Sequence, residues 1–188
     1  MWKSLSEWLR RVSTGWVALI ALVIFLSFSA LVLPSQSANA EIDSQGVGSP
    51  DLSFYYSPDE LYSMAEAYGE AGRDAYVRAR FTFDVVWPIV YTLFLSTALS
   101  WLYTRVFSAG SFWQRANLAP VLGALFDFLE NGSTSLVMLR YPARTPVIDV
   151  LAPVFTMVKW ALVTGSFVLL LVGVFAGVWR WIRVRREA

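Results

Sequence analysis

Four long apolar segments, at about 14–34, 81–104, 117–139 and 150–180, are the features that most restrict how this chain can fold. Each has roughly the ~20 residues that an α-helix needs to cross a ~30 Å hydrocarbon core. The chain is 56% hydrophobic and only 15% of its residues are charged. We therefore predict an all-α membrane protein, a four-transmembrane-helix bundle that forms a single membrane domain over residues 1–188.

The first apolar segment has two interpretations. Its basic start, its apolar run Trp16–Leu33 and the small residues Ala38-Asn39-Ala40 are typical of a secretory signal with a cleavage site. The run is longer than the apolar core of most such signals, so we expect the segment to be retained as a span. Cleavage would leave three spans.

The basic residues predict the orientation of the chain. With four spans, three basic sets fall on one side of the membrane, and the positive-inside rule makes that side cytoplasmic. These sets are Lys3, Arg10 and Arg11, then Arg105 and Arg115, then Arg180, Arg183, Arg185 and Arg186. We therefore expect a multi-pass protein of the cell membrane, here a plasma membrane, with both termini cytoplasmic and loop 35–80 outside.

The loop between the first two spans contains a clear helix start. Ser57 can cap a helix, Pro58 suits the first helical position, and Glu60 completes a capping box. Apolar residues then recur at helical spacing, which predicts an amphipathic helix over about 57–76. This outer helix can be an interfacial strut between two spans or a lid over a cavity. It is also a possible docking site for a protein partner.

Missing residue types exclude several kinds of chemistry. The sequence has no cysteine and no histidine, which removes thiol nucleophiles, disulfides, Ser-His-Asp triads, histidine-ligated haem and the common zinc sites. It also has no phosphate-binding glycine loop and no nucleic-acid motif. We expect no cofactor, no metal and no nucleic-acid partner, and any reaction would have to use carboxylates, Lys, Arg, Tyr or Ser/Thr.

Asp127, Glu130 and Asn131 lie near the middle of the third apolar segment. Their spacing puts them on one helical face, where ionisable groups cost several kcal/mol unless they have partners. Counting residues from the flanking arginines puts Asp84 and Lys159 in the outer half of their own spans. We therefore predict a polar cavity that opens outward, in which Lys159 is a candidate counter-ion for the acids.

The candidate ligand-binding residues are those expected at that depth. They are Asp84, Trp87, Tyr91, Asp127, Glu130, Asn131 and Lys159. The preferred hypothesis is that the cavity binds a membrane lipid or small amphiphile. In that hypothesis the two acids and the asparagine of the third segment are polar anchors, and the two aromatic residues of the second segment are apolar walls.

Other hypotheses compete with ligand binding. A membrane enzyme could use Asp127 and Glu130 as acid and base, because two carboxyls so close together cannot both ionise cheaply in a low dielectric. Oxygen ligands from Asp84, Asp127 and Glu130 could instead hold a hard cation. The cluster could also be purely structural, in an accessory subunit of a membrane complex, and Asp84 could simply pair with Arg80 four residues earlier. Whether the protein is an enzyme stays open.

In outline, the chain resembles the sterol-isomerase and sigma-2-receptor superfamily. The resemblance rests on the four apolar segments, the acidic helix after the first loop and the intramembrane carboxyls. Two features depart from the family's pattern, since the first span has no acidic residue and the chain has no histidine. We therefore transfer no residue role from that superfamily.

Overall fold

The computed structural model describes residues 2–187, and every regular element in that range is helical. The α-helices are α1 (Trp2–Val12), α2 (Gly15–Leu31), α3 (Leu33–Asp43), α4 (Pro58–Arg80), α5 (Phe83–Val106), α6 (Ala119–Arg140) and α7 (Ile148–Glu187). Two 3-10 helices cover Pro50–Leu52 and Phe112–Leu118. The prediction of an all-α chain is confirmed.

Two helical stretches in the described part of the chain are long and apolar enough to cross a membrane. One is α7, and the other is the stretch Pro58–Val106 that ends with α5. The pair α1 and α2 would add a third if it is one span, although the two helices meet at a 94° bend. Helix α6 is not among these helices, because Asp127, Glu130 and Asn131 lower its hydropathy. The structure thus supports two or three spans by length and composition.

Much of the apolar surface of these helices is exposed. Trp16 of α2 and Trp179 of α7 are each 75% exposed, and Phe175 of α7 is 71% exposed. Only 11% of the apolar window of α7 is buried within the chain. A water-soluble monomer rarely leaves so much continuous apolar surface uncovered, so this surface is suited to an apolar surrounding.

The residue contacts divide the chain into two compact units. The first unit contains three segments, which are the chain up to Leu26, the stretch Val90–Leu122 and the chain from Leu162 onward. The second contains Ser27–Ile89 and Gly123–Ala161.

In the first unit, Asn117 ties α1 to α5 through hydrogen bonds. Its Oδ1 accepts from Ser6 Oγ at 2.8 Å, and its Nδ2 donates to Ser100 Oγ at 2.8 Å. Its backbone carbonyl accepts from Ser96 Oγ at 3.0 Å. Asn117 is 1% exposed, so a polar side chain in the interior has its main groups paired, as burial requires.

In the second unit, α4 packs its aromatic and apolar stripe into the core. The buried residues of this helix are Leu61, Tyr62, Ala65, Tyr68, Gly72, Tyr76 and Arg80. The predicted capping box is present, because Ser57 Oγ accepts from Glu60 N and the Glu60 carboxylate accepts from Ser57 N. The helix continues to Arg80 rather than ending near 76, and this last turn brings a buried guanidinium into the unit.

Two glycines shape α4 for different reasons. Gly69 has φ 64° and ψ −178°, a conformation that L side chains rarely adopt, and it kinks the helix. Gly72 allows a close approach, because a Cβ at that position would lie 2.5 Å from the backbone oxygen of Asp43 at the end of α3. The contact between α3 and α4 therefore depends on the absence of a side chain at residue 72.

Candidate functional site

Arg80 sits between two carboxylates of the second unit. Its Nη1 is 2.9 Å from Asp51 Oδ2, and its Nε is 2.9 Å from Asp84 Oδ2. The Arg80 side chain is only 6% exposed, and its guanidinium also lies 4.4 Å from the centre of the Tyr76 ring. The pairing of Arg80 with Asp84 is the one that their four-residue spacing suggests. The pairing with Asp51 comes from the loop before α4.

Lys159 of α7 holds the acidic pair of α6. Its Nζ forms an ion pair with Glu130 Oε2 and lies 4.0 Å from Asp127 Oδ1. Glu130 is completely buried, and its other carboxylate oxygen accepts a hydrogen bond of 2.8 Å from Thr156 Oγ1. The hydroxyls of Thr156 and Tyr56 are in turn 3.1 Å apart. A buried carboxylate is thus paired and hydrogen-bonded, which is the condition for keeping a charge inside a protein.

Asp51 connects the two ion-pair groups. Its side chain contacts Arg80, and its backbone carbonyl accepts from Trp160 Nε1 at 3.1 Å and from Lys159 Nζ at 3.4 Å. Ser49, immediately before the 3-10 helix Pro50–Leu52, hydrogen-bonds the Asp51 carboxylate. Burial raises the pKa of Asp51, but the charges of Arg80 and Lys159 and the hydrogen bonds outweigh it. The pKa of this carboxyl therefore lies below its ordinary value.

Asn131 is the third member of the polar face of α6. Its Nδ2 donates to the backbone oxygen of Asp84 at 3.3 Å, which joins α6 to the start of α5. Its Oδ1 is buried without a hydrogen-bond partner. The network therefore contains four carboxyls, two cations and one amide, whose Oδ1 accepts no hydrogen bond.

A cavity of about 150 Å³ opens beside this network. Its polar wall includes Asp51, Arg80 and Asp84, and its apolar wall includes Phe83 and Trp87. The remaining lining residues come from α3, the following loop and α4: Leu33, Gln36, Ser37, Asn39, Ala40, Asp43, Ser44, Ser49, Leu52, Tyr68, Gly72, Ala75, Tyr76 and Ala79. An apolar pocket with a few convergent polar groups is the usual form of a small-molecule site.

The structure distributes the predicted site residues among three places. Asp84 and Trp87 line the cavity. Asp127, Glu130, Asn131 and Lys159 are buried in the network but are not part of the cavity lining. Tyr91 is 2% exposed and belongs to the first unit.

Several residues of the site were missed from the sequence. Asp51 and Tyr56 lie in a polar, turn-rich loop, and nothing local distinguishes them from other loop residues. Gln36 and Asn39 belong to α3, which was not predicted as a separate helix although Pro34 stands at its start. Arg80 was not missed in this way, because its four-residue spacing to Asp84 suggested the ion pair that the structure contains.

Two other cavities belong to the first unit. One, of about 70 Å³, is polar and is lined by residues of α1, of the 3-10 helix Phe112–Leu118 and of the loop before it. The other, of about 820 Å³, is an open and largely apolar groove along α2, α5 and α7. Neither combines converging charges with an apolar wall. Across residues 2–187, no group of three or more acidic side chains is arranged to hold a metal ion.

These observations define a class: an all-helical chain that has two or three helices fit to span a membrane and a buried ion-pair network beside a small cavity. No protein-family model, curated protein or solved structure matches the chain.

Proposed function

We propose that this chain is an integral membrane protein that binds the polar end of a lipid or small amphiphile in the cavity of its second unit. The observation that carries the proposal is the composition of the cavity wall. Asp51, Arg80 and Asp84 converge on one side, while Phe83 and Trp87 supply an apolar surface. A molecule with one polar and one apolar end fits such a wall.

The size of the cavity limits what it can enclose. Drug-sized ligands usually occupy ~300–1,000 Å³, and this cavity has about 150 Å³. The enclosed part of the ligand is therefore a headgroup of a few heavy atoms or a short chain segment. The rest of a lipid would lie outside the cavity.

The membrane setting of this proposal is supported by the first unit. Apolar residues of α2 and α7 are widely exposed, and α1 bends by 94° away from α2. Helix α1 carries exposed Trp2 and Trp8 together with Lys3, Arg10 and Arg11, the composition of a helix that lies in the membrane interface. We therefore propose four spans, α2, α5, α6 and α7, in a cell membrane, with cytoplasmic termini and the loop containing α4 outside.

Asp127 and Glu130, the acidic pair of α6, are better suited to a structural role than to catalysis. Glu130 is completely buried, and its two oxygens contact Lys159 and Thr156. A general acid or base needs a route to a substrate atom at hydrogen-bond distance. We assign Glu130 and Lys159 to holding α6 against α7, which gives the enzyme hypothesis less support than ligand binding.

A substitution that fills the cavity tests the proposal directly. Ala75 lines the cavity and Ala71, four residues earlier on α4, is exposed outside it. In Ala75→Trp the indole would occupy the cavity, whereas Ala71→Trp makes the same substitution on the outer surface. Native mass spectrometry and lipid extraction would be performed on the detergent-purified wild type and both variants.

The expected result is a bound amphiphile that co-purifies with the wild type and with Ala71→Trp and is lost from folded Ala75→Trp. Circular dichroism establishes that Ala75→Trp keeps its helices. Equal recovery of the same molecule from both variants would contradict binding in this cavity.

A further inference from the structure

We infer that the polar group taken up by this cavity is a cation, an alkylammonium or amine headgroup, and this inference rests on the proposed function. The geometry behind it is an excess of carboxylates over cations in a wall that also carries four aromatic side chains. Asp43, Asp51 and Asp84 line the cavity against a single basic residue, Arg80. The aromatic side chains are Tyr68, Tyr76, Phe83 and Trp87.

The charge of Arg80 is already balanced within the protein. Asp51 and Asp84 each contact the guanidinium at 2.9 Å, and Tyr76 lies against it at 4.4 Å. An anionic headgroup would have to displace one of these carboxylates and then share the space with two or three negative charges. Like charges at such distances repel strongly in a partly buried site, so the wall disfavours phosphate, sulfate and carboxylate ligands.

A cation meets the opposite conditions in the same cavity. The lining carries three carboxylates and one guanidinium, and the adjoining network adds two carboxylates and Lys159, so negative charge exceeds positive charge around the cavity. Ammonium groups are also attracted to aromatic faces, and Phe83 and Trp87, both stacked on Phe28, line the cavity together with the acids. The same surfaces can therefore hold a positive head and the first methylene groups of its chain.

Asp43 is the carboxylate of the lining that takes no part in the Arg80 ion pairs. This residue ends α3, is exposed, and lies where the absent side chain of Gly72 lets α3 approach α4. It adds a negative charge at the cavity edge outside the Arg80 ion pairs. Its replacement therefore changes the charge of the cavity without breaking those pairs.

The experiment compares probes of equal chain length that differ in head charge. Decyltrimethylammonium, decyl sulfate and decanol are titrated into the protein in nanodiscs, with binding followed by native mass spectrometry. Ala75→Trp supplies the background of non-specific partition into the bilayer. Tetramethylammonium, which has no chain, distinguishes a free amine from a lipid headgroup as the source of the cation.

We expect decyltrimethylammonium to bind the wild type about 10-fold more tightly than decyl sulfate, from the combined carboxylate and aromatic attraction. Asp43→Asn should reduce this preference several-fold while the protein stays folded. Asp74→Asn removes the same charge from an exposed position of α4 outside the cavity and should leave the preference unchanged. Measurable binding of tetramethylammonium would support the inference and point to a free amine.

Two results would overturn the inference in distinguishable ways. If decyl sulfate or decanol binds as tightly as the cation, and Ala75→Trp abolishes all of this binding, the cavity takes amphiphiles without charge selection and the proposed function stands. If no probe distinguishes the wild type from Ala75→Trp, the cavity is not a binding site, and both the inference and the proposed function fail.

Discussion

Asp51 Oδ2 and Arg80 Nη1 are 2.9 Å apart, and this ion pair joins the 3-10 helix Pro50–Leu52 to the last turn of α4. The guanidinium is almost completely shielded from water, since the Arg80 side chain is 6% exposed. When one partner of such a pair is removed, the remaining charge is left buried, which costs more than the pair itself contributed. The stability of the loop before α4 therefore depends on a charge carried by the helix.

Asp51→Asn should lower the free energy of unfolding by about 2 kcal/mol, less than a fully buried pair would lose, because Asp84 still contacts Arg80. Thermal unfolding in detergent, followed by circular dichroism, measures the change. The control is Asp59→Asn, which removes a partner of Arg144 in an exposed pair and should leave the unfolding temperature unchanged. Equal unfolding temperatures for the two variants would show that the Asp51 pair has no structural role.

The stabilisation from Asp51 should disappear in acid. The pKa of Asp51 is lowered in the folded protein from the ordinary 3.8, so the folded state keeps the carboxylate ionised where the unfolded chain would protonate it. The stabilisation is therefore fully present above the ordinary pKa and is lost as pH falls through the lowered one. The difference in unfolding temperature between wild type and Asp51→Asn should shrink below about pH 4. A difference that grows on acidification would contradict this assignment.

Glu130 and Lys159 should behave as one unit in a double-mutant cycle. Glu130→Gln or Lys159→Met alone leaves a buried charge without its main partner and should cost about 3–5 kcal/mol. The double substitution removes both charges and should cost clearly less than the sum of the two single changes. The free energies of unfolding of the four proteins provide the test. Additive costs would mean that the two side chains act independently.

Gly72→Ala should destabilise the protein by about 1–3 kcal/mol, because the new Cβ would lie 2.5 Å from the Asp43 oxygen and force α3 away from α4. Gly132→Ala is the matched control, since a Cβ on that α6 residue meets no atom within 4 Å. It should leave stability unchanged or raise it by up to about 1 kcal/mol through helix propensity. If both variants have the same stability, the close approach of α3 and α4 is not needed.

Most of the helical architecture could be predicted from the sequence, because it depends on local properties. Long apolar runs located α2, α5, α6 and α7, and Ser57 with Glu60 located the start of α4. Counting residues along each helix also predicted that Lys159 and Glu130 lie at a similar depth, and the two side chains are paired in the structure. Helical rise and periodicity are the same in every sequence, so these inferences needed no tertiary information.

The rest depended on contacts between distant parts of the chain. Asp51 and Tyr56 reach the network only through the path of a loop, and a loop has no periodicity from which its path can be read. The 94° bend between α1 and α2 was not predicted either, and α3 was missed although Pro34 marks its start locally. The position of the cavity could not be predicted from the sequence, because α3, which precedes that loop, and α4, which follows it, both contribute to the cavity wall.

The contact of the Asp51 carbonyl with Trp160 and Lys159 has a consequence for mutational scanning of this chain. Every amino acid carries the same carbonyl, so replacing the side chain at residue 51 reports only on the carboxylate and leaves the backbone acceptor in place. A scan would therefore underestimate how much the protein depends on this position. Ester substitution between residues 51 and 52 weakens the Asp51 carbonyl as an acceptor and also removes the Leu52 N–H that donates to the Ser49 backbone oxygen at 3.1 Å, so the stability it removes is an upper limit for the contribution of that carbonyl.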